Sequence, residues 1–305
     1  MKIHQQLPKL LVVAALAASS CSSVQPHVRL AKRLPGFSTE AHRGGRGLMP
    51  ENTIPAMLDA IDRGVTTLEM DLGVTRDKQV IVTHDPYVNL QFVTPPAGAE
   101  ITAEEGKKLY WYSMDYAVVK QYETGLKPHP QFPRQRKVET HIPLLSDLIT
   151  AAEGHAAIKG RKMFYDMEIK TQAGGDNVKH PEIPDFCEHV IAILKAKKVL
   201  NRTIIQSFDV RALQYIHEKY PKVMLSYLLD RKKAPKVTEN LERLGFMPVF
   251  YSPDHNAVTA DLVAACHAKG VRVLPWTPNT KEDVERLKAL GADGIISDYP
   301  DLLAP

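Results

Sequence analysis

Glu69 and Asp71 stand near the end of the β-rich run VTTLEMDL (65–72), and Glu168 near the end of a later one, KMFYDMEIK (162–170). The i, i+2 spacing of Glu69 and Asp71 turns both side chains to one face of a strand. Three carboxylates form a hard oxygen site, suited to one divalent cation, Mg²⁺ or Ca²⁺, rather than to zinc. Two histidines share the placement: His42 ends FSTEAH (37–42), and His84 ends QVIVTH (79–84), with Asp85 next. Imidazole titrates near neutrality, so the pair can serve as general base and general acid. Arg43 beside His42, and Lys170 two residues after Glu168, add positive charge for an anionic substrate; the arginine fork matches phosphate oxygens. Gln206 in RTIIQSF (202–208) and Trp276 in GVRVLPWT (270–277) occupy the same kind of position. Charged groups inside β-rich runs are costly to bury without partners, yet here they recur at the same end of successive runs. Together they point to metal-assisted phosphoryl transfer. A single His, Glu-x-Asp or Glu-x-Lys carries little weight; their order and co-occurrence carry the signal.

Something must gather these run ends at one place. From residue 37 onward, short β-rich runs alternate with amphipathic helical patterns. Among the latter are TIPAMLDAIDRG (53–64), DVRALQYIHEKYP (209–221), TADLVAACHAKG (259–270) and TKEDVERLKALG (280–291), three of which open on threonine and close on glycine. Such alternation predicts a parallel sheet with crossover helices. Eight or nine strands in one domain over residues 37–305 fit an α/β (β/α)₈ TIM barrel, with an open doubly wound sheet as the alternative. In a barrel, catalytic residues lie at the C-terminal ends of strands, where the residues above fall. Residues from 86 to about 140 break the rhythm. This proline-rich block holds eight of the 21 Phe, Trp and Tyr residues. It is expected to be a subdomain inserted after the strand ending at His84, covering the barrel mouth and setting head-group or lipid preference. The plainer expectation is a packing element.

The formal charge of the 305-residue chain is +4. Lys2 and Lys9 lie in a segment expected to be removed, which leaves about +2 and no dense basic face, so nucleic acid is not an expected partner. The run LLVVAALAA (10–18) is too short to span a bilayer and reads as part of an export signal over residues 1–21. ALAASSCSS resembles a bacterial lipoprotein signal, which implies lipidation of Cys21, membrane anchoring at the bacterial cell envelope and a tether over 22–36. Simple periplasmic or secreted cleavage is the alternative. Cys187 and Cys266, each in a helical pattern, are expected as free buried thiols.

The series HRGGRGLMPENT (42–53), LEMD (68–71) and VTHD (82–85) closely resembles the glycerophosphodiester phosphodiesterase family, within the phospholipase C-like phosphodiesterases. The resemblance extends to MEIK (167–170), QSF (206–208), WTPN (276–279) and GADGIISDYPDLL (291–303), and covers about residues 38–303 apart from the insertion. It implies hydrolysis of a glycerophosphodiester to sn-glycerol 3-phosphate and an alcohol. It also implies roles. Glu69, Asp71 and Glu168 hold the cation, and Arg43 meets the phosphate. His42 deprotonates the nucleophile, either the glycerol 2-hydroxyl or water, and His84 protonates the leaving alcohol. Lys170 and Gln206 serve the phosphate site, and Trp276 packs on the glycerol carbons. The glycines of the first motif are expected to let backbone approach substrate, with Asn52 or Thr53 capping the first helix. Two rival readings are phospholipase D-like hydrolysis of lysophospholipid or other lipid phosphodiesters, and a non-catalytic phosphodiester-binding lipoprotein.

Overall fold

The computed structural model describes residues 25–303; Cys21 lies outside them. The strands are β1 (Ser38–Ala41), β2 (Thr67–Val74), β3 (Val80–Val82), β4 (Phe164–Ile169), β5 (Thr203–Ser207), β6 (Met224–Leu229), β7 (Phe250–Pro253), β8 (Arg272–Val273) and β9 (Gly294–Ser297). Eight of them run parallel in the order β8-β7-β6-β5-β4-β2-β1-β9. Asp293 N donates to Val273 O (2.9 Å) and Ile296 N to Pro275 O (3.0 Å), so the two end strands meet and the ring is a TIM barrel, as expected. Strands of such a barrel are covered on both faces, which is why β6 can read MLSYLL and be buried throughout.

Two faces with different chemistry come from simple alternation along each strand. On β2, Leu68, Met70 and Leu72 point outward and pack under helices with Met57, Ile61 and Leu145. Thr67, Glu69 and Asp71 therefore point inward. The helices are held at their starts by the residues the sequence suggested. Thr53, Asp209, Thr259 and Thr280 each accept a backbone N–H of the first turn, a cap contributing about 1 kcal/mol. Cys187 and Cys266 are free and buried in the helical shell.

β3 departs from expectation. It is not a further barrel strand: it folds back antiparallel on β2, with Leu72 opposite Val82 and Val74 opposite Val80. The reversal carries Thr83 down to Asp71, where Thr83 N donates to Asp71 O (2.9 Å). His84 thus reaches the site on a hairpin rather than on the C-terminal end of a barrel strand.

Part of the expected tether is also structured. Residues Pro26–Ala31 form a helix under the N-terminal ends of the strands. Leu30, Ala31 and Leu34 pack on Ile204, Met224, Phe250 and Leu274 and close the barrel floor. Five apolar side chains in PHVRLAKRL account for this, since they have an apolar surface to cover. Residues 86–140 carry only short helices, Ala103–Gly106 and Tyr116–Val119, around their own core of Val88, Val93, Trp111, Val119 and Tyr122.

Candidate active site

The segment after β1, residues 42–53, positions several parts of the site. Arg43 adopts a left-handed backbone (φ 51°), uncommon for a non-glycine residue and often found where function needs it. That geometry aims its N–H at Glu69 Oε2 (2.7 Å) while its guanidinium reaches Glu51 (3.0 Å) and Asp71 (3.2 Å). Asn52, also left-handed (φ 57°), grips Asp71 twice: Nδ2 donates to Asp71 Oδ2 (2.8 Å), and Asp71 N donates to Asn52 Oδ1 (3.1 Å). Thr53 caps the helix Ile54–Asp62. So Pro50-Glu51-Asn52-Thr53 positions the arginine, one carboxylate and a helix. Packing leaves no room for side chains at the glycines of this turn. A Cβ on Gly44 would lie 2.7 Å from the Ala56 Cβ, and one on Gly47 2.4 Å from the Tyr299 ring.

Each catalytic histidine candidate is held by an aspartate. His42 Nδ1 donates to Asp298 Oδ1 (2.5 Å), and His84 Nδ1 to Asp85 Oδ1 (2.9 Å). An acidic partner on Nδ1 fixes the tautomer and leaves Nε2 for proton transfer. Burial lowers the His42 pKa to about 4 despite Asp298, with Arg43 and Arg46 adding to the effect; the ring is therefore a neutral base at pH 7. Burial would raise the pKa of Asp298, but His42 and Arg46 hold it below the carboxylate range. Arg46 Nε (2.7 Å) and Asn279 Nδ2 (2.7 Å) also donate to Asp298. Asp298→Asn is expected to lower kcat about tenfold or more by loosening the His42 tautomer. The acid limb of the kcat/KM profile should also move to lower pH, because a stabiliser of the imidazolium is gone. A profile unchanged in shape would make Asp298 a purely structural residue.

The three carboxylates face the barrel interior in adjacent positions. Asp71 pairs in register with Glu168, and Glu168 with Gln206. Burial, then the charge of Asp71, raises the Glu69 pKa well above its ordinary value. Burial pushes Asp71 the same way, but Arg43, His84 and Lys170 hold it well below. Burial also raises Glu168, against the pull of Lys170, whose ammonium lies 3.1 Å from Glu168 and 3.8 Å from Asp71. Gln206 donates to Glu69 (2.8 Å), while its own Oε1 is buried with no partner among the described residues. Three carboxylates and an unpartnered amide oxygen fit a hard divalent cation in chemistry. Among the described residues, however, no three His, Cys, Asp or Glu side chains already converge as a metal shell; Arg43, Asn52, Lys170 and Gln206 hold these oxygens instead.

A cavity of about 250 Å³ opens here. Its walls include His42, Arg43, Glu69, His84, Glu168, Lys170, Gln206 and Trp276, every expected catalytic, metal or phosphate-site residue except the buried Asp71. Trp276 Nε1 donates to Ser252 O (3.0 Å), which fixes the indole, and Phe208 meets it edge-on at 5.6 Å. The insertion lies at this end of the barrel: Trp111 Nε1 donates to Asp85 O, and Gln135 Nε2 to Arg46 O. It flanks the mouth on two sides, and none of the residues lining the central cavity belongs to it. Asp298, Asp85, Arg46 and Glu51 had no roles assigned from sequence, and Asn52, expected only as a candidate helix cap, holds Asp71 instead. Asp298 ends the last β-rich run, so the strand-end rule could have found it.

The model of the glycerophosphoryl diester phosphodiesterase family matches residues 42–302. A glycerophosphodiester phosphodiesterase from Caldanaerobacter subterraneus subsp. tengcongensis is 29% identical over 86% of this chain and 94% of its own. A mouse protein named lysophospholipase D GDPD1 is 25% identical over 86% of this chain and 83% of its own. The solved structure of an Oleispira antarctica phosphodiesterase, in complex with the product sn-glycerol-3-phosphate, shares the fold with a TM-score of 0.69 at 22% identity, covering 89% of this chain and 96% of that one. With the barrel, the motif residues and the match over most of its length, the chain belongs to the glycerophosphoryl diester phosphodiesterase family and is an enzyme of that family.

Proposed function

We propose that the protein hydrolyses glycerophosphodiesters to sn-glycerol 3-phosphate and an alcohol, using two histidines and one divalent cation, Mg²⁺ or Ca²⁺. The observation that carries this reading is a single cavity walled by two aspartate-held histidines, Arg43, Lys170 and two of the three carboxylates, Glu69 and Glu168.

His42, neutral because burial depresses its pKa to about 4, takes at Nε2 the proton of the attacking water, or of the glycerol 2-hydroxyl, in which case water then opens the cyclic phosphate to sn-glycerol 3-phosphate. His84 gives a proton from Nε2 to the departing alcohol oxygen. Arg43 and Lys170 present fixed positive charge to the phosphoryl oxygens, a preorganised arrangement that needs no rearrangement as charge builds. Glu69, Asp71 and Glu168 would hold the cation, which when bound neutralises phosphoryl charge and orients the diester. Trp276 offers a flat apolar wall for the glycerol carbons.

Lysophospholipid is the second substrate class. Its support is the lysophospholipase D relative together with Phe208, 42% exposed at the cavity rim beside Leu228. A non-catalytic role is disfavoured because both histidines and all three carboxylates are present. We also place the protein in the bacterial cell envelope, lipid-anchored at Cys21, on the strength of the apolar run 10–18 and the residues around Cys21.

The deciding experiment measures sn-glycerol 3-phosphate released with added Mg²⁺ or Ca²⁺ from deacylated glycerophosphodiesters, and acylated product released from matched lysophospholipids. Faster turnover of the deacylated set is expected. Turnover confined to acylated substrates would replace this reading with the second, and none on either set would refute both.

A further inference from the structure

Next to the catalytic cavity lies a second one of about 240 Å³, walled by the loop that follows β4 and joined to the first through Glu168, Lys170 and Phe208. A small cleft continues from it to His84 and Asp85, sharing Pro86, Lys170, Lys179 and His180. The second cavity therefore lies on the His84 side of the site. The alcohol that His84 protonates must depart toward that side.

The charges there are unbalanced. Cations of the catalytic cavity all have carboxylate partners: Arg43 has Glu51 and Asp71, Arg46 has Asp298, and Lys170 has Glu168. The carboxylate of Asp85 is taken by His84 and Asn89. Lys179 alone among the lysines and arginines of these two cavities has no carboxylate partner among the described residues; its ammonium lies 5.8 Å from the centre of the Tyr110 ring. The loop that carries it is fixed. His180, 3% exposed, accepts from Gln172 N (3.1 Å) and donates to Pro181 O (2.9 Å). Asp176 is tied to Arg211 (2.8 Å). Gly175 packs so closely that a Cβ there would lie 2.5 Å from His180 Nε2. A cation on such a loop meets a ligand with little ordering cost.

We infer that Lys179 recognises an anionic group, a carboxylate or a second phosphate, on the alcohol portion of the substrate, so the enzyme prefers glycerophosphodiesters with acidic head groups over those with choline. This rests on the phosphodiesterase reading above. A charge-assisted hydrogen bond supplies the selectivity, while a quaternary ammonium would meet a like charge. Because the contact lies away from the reacting atoms, it acts equally before and during the chemical step and its loss appears in KM.

The test compares kcat/KM on sn-glycero-3-phosphocholine, sn-glycero-3-phosphoserine and bis(sn-glycero-3-phospho)glycerol for wild type, Lys179→Ala, Lys179→Glu and Lys179→Arg. Wild type should favour at least one acidic head group over choline. The serine substrate reports recognition of a carboxylate, the bis-phosphodiester recognition of a phosphate. Lys179→Ala should reduce that preference about tenfold, through KM; Lys179→Glu should reverse it, and Lys179→Arg should keep it. Equal losses on all three substrates, or a wild-type preference for choline, would overturn the inference while leaving the phosphodiesterase reading intact. No turnover on any substrate would remove that reading and this inference with it.

Discussion

Chelation of divalent cations is expected to abolish turnover, and Glu69→Ala, Asp71→Ala and Glu168→Ala are each expected to lower kcat/KM about 10³-fold or more. Electrostatic stabilisation of the phosphoryl group is the main demand in this chemistry, and losing several kcal/mol of it corresponds to that scale. Arg43 and Lys170 can offset only part of that charge, because Glu51, Asp71 and Glu168 already lie against them. A thermal measurement separates metal binding from activity. A cation that binds only the folded protein raises Tm, and here it would also offset the burial, and then the charge of Asp71, that raise the Glu69 pKa. Mg²⁺ or Ca²⁺ should therefore raise the Tm of wild type and do so less in each alanine variant. The rise should shrink at lower pH as Glu69 takes up a proton, since a protonated carboxyl competes with the cation. Turnover that survives exhaustive chelation would remove the cation from the mechanism.

Replacing His42 or His84 with alanine is expected to cost about 10²- to 10⁴-fold in kcat, the range for positioned acid–base groups. The double variant should lose less than the product of the two losses, since the residues act on one reaction. The pH profile discriminates between them. His42 must be neutral to act as base, and its pKa is lowered to about 4. The acid limb of kcat/KM due to His42 should therefore lie well below the ordinary imidazole value of about 6.5. The same shift makes folding pH-dependent. The folded state prefers neutral His42, so the unfolded chain binds more protons between about 6.5 and 4, and this contribution to stability is lost as pH falls through that window. An acid limb that stays in place in His42→Ala would assign it to another group.

One rule, alternation along strands that end at the same face, made most of the site legible. It placed Glu69, Asp71, Glu168, Lys170 and Gln206 inside one barrel because each fold-level step depends only on period and order. It had no means of seeing the β3 reversal, because VIV is equally good as a barrel strand or a hairpin; only the pairing with Leu72 and Val74 decides. The close packing at the glycines of the first motif was hidden for a related reason. Their need for space is set by Ala56 and Tyr299, and Tyr299 lies some 250 residues away in sequence. The same alternation, followed two residues back from His42 and Glu168, reaches Glu40 and Asp166. Both are wholly buried, and Glu40 Oε2 and both Asp166 oxygens lack hydrogen-bond partners among the described residues. Burial lifts Glu40 to about 7, and burial with the Glu40 charge lifts Asp166 far above its usual value. Burial of two neighbouring carboxyls favours a protonated form of the pair, which no sequence pattern displays.

The short helix under the barrel sets which way the enzyme would face. Gln25 begins the described chain at the floor, directly before Pro26, and the four residues from Cys21 to Gln25 can span at most about 14 Å. A lipid on Cys21 would hold the floor against the bilayer and turn the mouth, at the opposite end of the strands, toward the aqueous compartment. An enzyme in that pose samples solutes drifting past rather than molecules embedded beneath it. A lysophospholipid would have to leave its membrane and cross the height of the barrel to reach His42, whereas a deacylated diester arrives freely.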